Sequence, residues 1–234
     1  MAKLIAANWK MNKTVDETVD FISGLKKSKI PKEMEIAVFP PFTSLHAASK
    51  LLEKSKISLG AQNMYFEEKG AFTGEISPLM LKELGCRYVL IGHSERRHII
   101  AEKNKDIKKK FSLALKWELI PVLCVGETKK ERKSGKTMEV IESQLKGIQA
   151  SKGIVIAYEP VWAIGTGENA TAKQASEMHS AIRRIISRNS IRIIYGGSVS
   201  PENSSNFLRE KEIDGLLVGG ASLDLKKFTY IINS

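Results

Sequence analysis

Apolar and polar positions alternate in blocks along the whole chain. Eight short apolar runs have the length of buried strands, and between them apolar residues recur at helical spacing. The runs cover residues 3–7, 35–39, 57–60, 88–91, 120–125, 154–157, 191–195 and 215–218. Strands that alternate with amphipathic helices over short connections predict a parallel sheet covered by helices.

The number of units favours one closed architecture. Eight strand–helix units in 234 residues give about 29 residues per unit. Eight such units in one uninterrupted series favour closure into a single α/β barrel, the (β/α)8 or TIM barrel. A doubly wound open sheet is the alternative. Because no linker composition interrupts the series, we expect one barrel domain over residues 1–234.

Capping signals predict where helices begin. A Ser or Thr followed three residues later by Glu or Gln is a capping box, and a Ser before Pro places the proline at the first helical position. The residues predicted to start helices are Thr14, Ser44, Ser77, Ser94, Thr171 and Ser200. One further helix is predicted over residues 137–149.

The composition is that of an ordinary soluble globular protein, with 42% hydrophobic and 27% charged residues. No apolar run reaches the ~20 residues of a membrane span, and the amino-terminal segment lacks the apolar core of an export signal. We therefore expect a cytoplasmic protein without membrane contact. Cys86 and Cys124 lie in apolar surroundings, which predicts buried free thiols. Neither has the spacing of metal ligands, so no metal site is expected.

The net charge of +11 favours anionic ligands. The densest basic run, residues 103–110, flanks a helical stripe of Ile107, Phe111 and Leu115, which indicates a solvated helix face. The aromatic–basic interleaving of RNA-binding proteins is absent from the sequence, so no nucleic-acid partner is expected. Nucleic-acid binding as a second role stays open, and it would be salt-sensitive.

Polar side chains follow the carboxyl ends of several predicted strands. Asn8 and Lys10 follow the first strand, His93 follows the fourth and Glu159 follows the sixth. Alone, each has an ordinary structural interpretation, such as a hydrogen-bonded core histidine or a polar strand end. On a barrel, however, these strand ends meet at the face where active sites form. Their common location is what favours a functional site.

Glycine-rich turns follow the last two strands. Ser198 ends a Gly-Gly-Ser turn after the seventh strand, and Gly219 and Gly220 follow the eighth. Each pair of glycines could be a tight turn only. In a barrel, however, the loops after strands seven and eight are where backbone N–H groups bind phosphate.

This set of side chains predicts proton abstraction next to a carbonyl group. Glu159 would take a carbon-bound proton, and Lys10 would stabilise the developing enediolate charge and the phosphate. His93, kept neutral at the start of a helix, would polarise the carbonyl. Glu95, in the first turn of that helix, is expected to pair with a lysine or to cap the turn.

Five segments carry a family resemblance. They are residues 6–10 (AANWK), 92–97 (GHSERR), 157–167 (AYEPVWAIGTG), 195–199 (YGGSV) and 217–223 (LVGGASL). In sequence and in order, from Lys3 to about Asn233, the chain resembles the triosephosphate isomerase family. The segments around His93 and Glu159 are the most specific.

The resemblance implies an intramolecular aldose–ketose isomerase of glycolysis and gluconeogenesis. Such an enzyme interconverts dihydroxyacetone phosphate and D-glyceraldehyde 3-phosphate without a cofactor or a metal. By resemblance, Glu159 is the base, His93 the electrophile, and Asn8 and Lys10 are substrate ligands. The backbone amides implied to bind phosphate are those of Gly165, Ser198, Gly219 and Gly220.

The resemblance also implies a mobile lid over residues 160–167 and a homodimer. The loop at residues 61–75 is long for a connection in a barrel and carries several apolar side chains, which suggests a second copy of the chain as its partner. The family's corresponding loop enters the neighbouring subunit. Thr73, near the tip, would then brace the other subunit's site.

Two segments depart from the family pattern, and a third fits a competing pattern. Residues 98–102 replace the family's aromatic-Gly-acidic sequence, and residues 144–153 are trimmed, which puts helix lengths in question. Residues 165–170 fit a dinucleotide-binding pattern, G-x-G-x-x-A. Those glycines come six residues after the strand-ending Glu159 and not in the first βα turn, so we reject a dinucleotide site.

Overall fold

The protein is described here by a computed structural model that covers residues 2–148, 153–164, 170–186 and 191–234. Within them, eight parallel strands pair in sequence order and close into a barrel. The strands are β1 (Lys3–Asn8), β2 (Met34–Phe39), β3 (Ile57–Ala61), β4 (Tyr88–Ile91), β5 (Ile120–Val125), β6 (Val155–Tyr158), β7 (Arg192–Tyr195) and β8 (Gly215–Val218).

Helices follow the strands and surround the barrel. Those in the described ranges are α1 (Val15–Lys27), α2 (Phe42–Leu52), α3 (Pro78–Glu83), α4 (Ser94–His98), α5 (Asn104–Lys116), α6 (Lys129–Lys133), α7 (Thr137–Leu145), α8 (Ala172–Ile186), α9 (Ser204–Arg209) and α10 (Leu225–Ile232). No helix of the described ranges is both long and apolar enough to cross a membrane.

Pairing of the first strand with the last decides between the two predicted architectures. β1 and β8 pair in parallel, with Leu4 opposite Gly215 and Ala7 opposite Val218. A doubly wound sheet would leave two open edges, so the predicted (β/α)8 barrel is confirmed.

The strands bury both of their faces. Inward-facing side chains, among them Leu4, Phe39 and Tyr88, fill the barrel, while Ile5 and Trp9 point outward and pack under the helices. Alternate residues of one strand therefore belong to different cores. Asn8 continues the inward face of β1 at the end where that face meets the cavity.

Polar groups close the amino-terminal end of the barrel. Glu35 of β2 accepts a hydrogen bond from the Tyr88 hydroxyl at 2.5 Å and one from Arg192 at 2.8 Å. Arg87 lies 2.8 Å from the same carboxylate. One carboxylate thus joins β2, β4 and β7 at the end opposite the predicted active site.

Half of the predicted helix starts are confirmed. Thr14 and Thr171 bond the backbone three residues on, and Ser77 accepts from Met80 N–H ahead of Pro78. Three of the predictions are wrong: α2 begins at Phe42 and not after Ser44, His93 and not Ser94 caps α4, and α9 begins at Ser204 after a turn that starts at Ser200. The helix predicted over residues 137–149 ends at Leu145.

Candidate active site

Three polar side chains from different strands meet at the carboxyl end of the barrel. Glu159 directly follows β6. His93 comes two residues after β4, and Lys10 comes two residues after β1. They line a cavity of about 260 Å³. Its other lining residues are Asn8, Ile164, Gly196, Gly197, Ser198, Val199, Leu217, Gly219, Gly220 and Ala221. Of the predicted site residues, Gly165 lies outside the described part of the chain, and all the others line this cavity.

The Glu159 carboxylate is buried, with only 2% of the residue exposed. Its Oε2 accepts a hydrogen bond of 2.9 Å from the backbone N–H of Ser94, and its Oε1 lies 3.2 Å from His93 Nε2. Glycines make room for it, since a Cβ on Gly196 would lie 2.8 Å from Glu159 Cγ and one on Gly126 only 1.8 Å from Glu159 O. The Glu159 carboxylate is therefore desolvated and fixed by its surroundings.

The hydrogen bonding of His93 assigns its tautomer. Its Nδ1 accepts a 3.3 Å hydrogen bond from the backbone N–H of Glu95, in the first turn of α4. A nitrogen that accepts a hydrogen bond carries no proton, so this contact fits a ring with its proton on Nε2. Glu95 Oε2 lies 3.5 Å from the same Nδ1. Nε2 is the atom that faces Glu159 and the cavity. A neutral imidazole that donates from Nε2 is suited to polarising a carbonyl.

The Lys10 ammonium group lines the same cavity. Its Nζ donates to Glu95 Oε1 at 2.6 Å, so the predicted pairing of Glu95 with a lysine is confirmed. Lys10 also approaches Gly219, where an added Cβ would lie 3.9 Å from Nζ. The positive charge therefore stands beside the glycine turn that follows β8.

The two glycine turns are held by serines. Ser222 donates to the carbonyl of Gly219 from both its N–H (2.8 Å) and its hydroxyl (2.7 Å), which fixes the 3₁₀ turn Gly220–Leu223. In the other turn, Ser198 donates from N–H (2.9 Å) and hydroxyl (2.8 Å) to Ala163 O. To bind phosphate, the Ser198 amide must therefore leave Ala163.

Comparison with known proteins agrees with this geometry. A sequence model described as triosephosphate isomerase matches residues 3–234. The triosephosphate isomerase of Dictyoglomus turgidum is 55% identical over 246 aligned residues, which cover 99% of each chain. That of Aquifex aeolicus is 51% identical and covers 100% of each chain.

The chain belongs to the triosephosphate isomerase family.

The family predicted from the sequence is thus confirmed. Triosephosphate isomerases from Dictyoglomus thermophilum and other bacteria are similar over nearly the same length. The departures at residues 98–102 and 144–153 lie within this full-length match. They do not remove the chain from the triosephosphate isomerase family.

One buried acid of this triosephosphate isomerase site was missed by the sequence analysis. Glu127 is fully buried after β5, where it accepts hydrogen bonds from the Tyr158 hydroxyl, Trp162 Nε1 and Arg132. Arg132 also stacks over the Trp162 ring at 4.7 Å. The available signal was its position, since Glu127 is an acid two residues past a strand end, much as Glu159 directly follows β6. It ties the start of the predicted lid to the barrel.

Burial keeps two nearby acidic groups protonated. Desolvation raises the pKa of the Cys124 thiol well above its ordinary value, and the Glu159 carboxylate raises that pKa further. Desolvation and the Glu127 charge likewise raise the pKa of the Tyr158 hydroxyl. Both groups stay neutral at physiological pH. Cys86 and Cys124 are buried free thiols, as predicted. Of the described side chains that line the cavity, Glu159 is the one that carries a carboxyl group.

A larger open cleft, of about 560 Å³, lies near the other end of the barrel. Its lining comes from the end of α2, the start of β3 and the end of α3. Unlike the smaller cavity, it brings together no carboxylate–imidazole pair from the described residues. The smaller cavity is therefore the candidate active site of this triosephosphate isomerase family member.

Proposed function

We propose that this chain interconverts dihydroxyacetone phosphate and D-glyceraldehyde 3-phosphate through an enediolate. The full-length similarity to triosephosphate isomerases supports this activity. The observation in the structure that carries it is the contact of Glu159 with neutral His93, in one cavity with Lys10 and two glycine turns. A base, an uncharged electrophile and a phosphate site are the groups that this reaction requires.

Substrate phosphate binds at the turn after β8. Backbone N–H groups of Gly219 and Gly220, at the start of a 3₁₀ turn fixed by Ser222, receive the phosphate oxygens. The Ser198 turn faces the same cavity, and Gly165 completes the phosphate site when the lid closes. Lys10 balances the negative charge, while Asn8 contributes an amide to the substrate.

The chemical step moves two protons. One Glu159 oxygen leaves Ser94 or His93 and removes a proton from the carbon next to the carbonyl. His93 gives its Nε2 proton to the carbonyl oxygen and takes the proton of the neighbouring hydroxyl in return, while Lys10 stabilises the enediolate charge that develops. Glu159 then returns the proton to the neighbouring carbon. By excluding water and holding the phosphate in place, the predicted lid over residues 160–167 protects the enediolate from loss of phosphate.

The test of this function is turnover of glyceraldehyde 3-phosphate in an assay coupled to reduction of dihydroxyacetone phosphate. We expect turnover without added metal and competitive inhibition by phosphoglycolate, which mimics the enediolate. Absence of turnover in folded protein would refute the assignment. Turnover that phosphoglycolate fails to inhibit would place the reaction outside the cavity of Glu159 and His93.

We further propose a homodimer formed through the loop at residues 61–75. This loop packs on itself, with Tyr65 stacked on Phe66 (4.2 Å between ring centroids) and close to Phe72 (4.7 Å). Its tip, residues 71–75, is nevertheless exposed. Met11 is 96% exposed next to Lys10. A preformed loop with an exposed aromatic tip fits a second copy at that surface.

The homodimer is tested by sedimentation velocity at micromolar protein. We expect a dimer for the unaltered chain and dissociation for Phe72→Asp, because a charge at the tip opposes burial. Tyr230→Asp is the matched control, since Tyr230 is an exposed aromatic residue on α10. A monomeric unaltered chain, or equal effects of the two substitutions, would contradict the proposed interface.

The similarity to triosephosphate isomerases also supports a cellular setting. We propose a cytoplasmic enzyme of glycolysis and gluconeogenesis, formed by one domain over residues 1–234. The buried free thiols of Cys86 and Cys124 support a reducing compartment.

A further inference from the structure

Gln62 joins the ends of three strands through one side-chain amide. It is the first residue after β3. Its Nε2 donates to the carbonyl of Phe39 at the end of β2 (2.9 Å) and to the carbonyl of Lys10 beyond β1 (2.8 Å). Both amide hydrogens are used on backbone acceptors, so the orientation of this amide is fixed.

The Lys10 backbone needs such support. Its φ of 53° lies in the left-handed region, which a residue with a long side chain adopts only when its surroundings hold it there. Of the described non-glycine residues with positive φ, Lys10 is the one whose side chain lines the active-site cavity. The direction of the ammonium group, toward Glu95 and Gly219, therefore depends on this strained backbone.

Each side of the Lys10 residue is fixed by a separate hydrogen bond. Its N–H donates to Asn8 Oδ1 at 3.1 Å, within the same turn, and its carbonyl accepts from Gln62. The preceding N–H, of Trp9, donates to Phe39 O at 3.3 Å. Asn8 and Phe39 belong to β1 and β2. Gln62 lies outside both strands, and its amide contacts Phe39 at the end of β2 and Lys10 just beyond β1.

We propose that Gln62 is a positioning residue that holds the Lys10 ammonium group in its productive place. The inference rests on the proposed isomerase function. Without the amide, the Lys10 carbonyl loses its partner and the backbone relaxes toward an ordinary conformation. The ammonium group then moves away from the enediolate and the phosphate, and a displacement of this kind costs rate and affinity together.

A double-mutant cycle tests this dependence. Gln62→Met keeps the length of the side chain and removes both hydrogen bonds. We expect about tenfold lower kcat/KM and about tenfold weaker binding of phosphoglycolate, measured by calorimetry. In a Lys10→Ala background, the same substitution should change phosphoglycolate affinity by less than about twofold, because the group that it positions is gone. Equal losses in the two backgrounds would overturn the proposal.

Gln144→Met is the matched control for a general structural effect. Gln144 also bonds backbone at a strand end, with Gly126 N–H at 2.8 Å and Gly126 O at 3.0 Å, but it does not contact Lys10. Gln144→Met should change phosphoglycolate affinity by the same factor in the unaltered chain and in the Lys10→Ala background. A control that couples to Lys10 as strongly as Gln62 does would also overturn the proposal.

Gln62→Glu gives a second readout if the methionine variant does not fold. An ionised carboxylate cannot donate to the two carbonyls, whereas a protonated one can donate to one. Its kcat/KM should therefore fall with rising pH through an ionisation that the unaltered enzyme lacks, and a pH profile that matches the unaltered enzyme would contradict the proposal. Failure of the proposed function shows separately, as absence of turnover in the unaltered chain.

Discussion

Both charged groups of the active site are engaged by neighbouring protein groups. Glu159 contacts the Ser94 N–H and His93, and Lys10 pairs with Glu95. Substrate binding therefore exchanges existing contacts for new ones and does not expose bare charges. Such contacts hold the side chains near the positions that the reaction needs, which lowers the reorganisation that accompanies proton transfer.

His93 is predicted to contribute through Nε2. His93→Gln removes the ring that donates to the carbonyl, so kcat should fall by about 10²-fold or more. KM should change much less, because Lys10 and the two glycine turns that are proposed to bind phosphate stay unchanged. Steady-state kinetics in both reaction directions measure this split. A kcat within a factor of about two of the unaltered enzyme would contradict the electrophile role.

Polar residues at strand ends are easier to predict from the sequence than residues whose contacts are distant in the sequence. Glu159, His93 and Lys10 stand out because a polar side chain directly past a buried strand has little structural reason to be there. Glu127 has the same signal, but its partner Trp162 is 35 residues away. Gln62 reaches back 52 residues to Lys10. Such contacts join segments that are far apart in the sequence, so no local sequence pattern predicts them.

At the scale of elements, one lysine fastens the end of α9 to the start of β1. Lys3 Nζ donates to the carbonyls of Leu208 (2.6 Å), Glu210 (3.3 Å) and Ile213 (2.8 Å). The last carbonyls of a helix lack partners within it, so the ammonium group satisfies acceptors that would otherwise need water. Burial lowers the pKa of this lysine, while the nearby Asp214 charge opposes that shift.

Lys3→Met should destabilise the fold without changing the chemistry. Loss of hydrogen bonds from a charged donor to partly buried acceptors costs about 1.5–3 kcal/mol in the free energy of unfolding. Urea denaturation measures this loss, and kcat should stay unchanged. Lys32→Met is the control, since Lys32 is an exposed lysine of the α1–β2 connection. An equal effect of the two substitutions would show that the carbonyl contacts contribute nothing.

The eight strands were predictable because their apolar runs are short and are separated by stretches with helical spacing, and all eight are confirmed. Helix starts were less predictable. Ser44 lies inside α2, where its hydroxyl is buried, because the helix already begins after Pro41. At α4, the His93 ring takes the N-cap place that the residue type favours for Ser94. Tertiary position overrides capping preference at both sites.

At the scale of the whole molecule, a buried histidine makes stability depend on pH. His179 of α8 is fully buried, and its Nδ1 lies 3.2 Å from Glu212 O. Burial lowers its pKa to about 4, although the Glu212 carbonyl and the Asp214 charge oppose this shift and Arg183 adds to it. The neutral ring therefore belongs to the folded state, and protonation favours the unfolded chain.

The sign of the effect follows from the two pKa values. In the unfolded chain His179 titrates near its ordinary value of about 6.5. Between that pH and about 4 the unfolded state binds the additional proton, so stability falls as pH drops, by about 3 kcal/mol in total. In urea denaturation, the free energy of unfolding of the unaltered chain should fall between pH 7 and pH 4.5. In His179→Gln this fall should be smaller by about 2 kcal/mol. An unchanged difference would contradict this origin.

The most direct measurement of the catalytic assignment is the turnover number of Glu159→Gln. The amide has the size of the carboxylate and its oxygen can still accept from the Ser94 N–H, but it cannot take a proton from carbon. The prediction is a kcat about 10³-fold lower in both directions, with phosphoglycolate still bound. A folded Glu159→Gln variant whose kcat stays within about tenfold of the unaltered enzyme would contradict the role of Glu159 as the base.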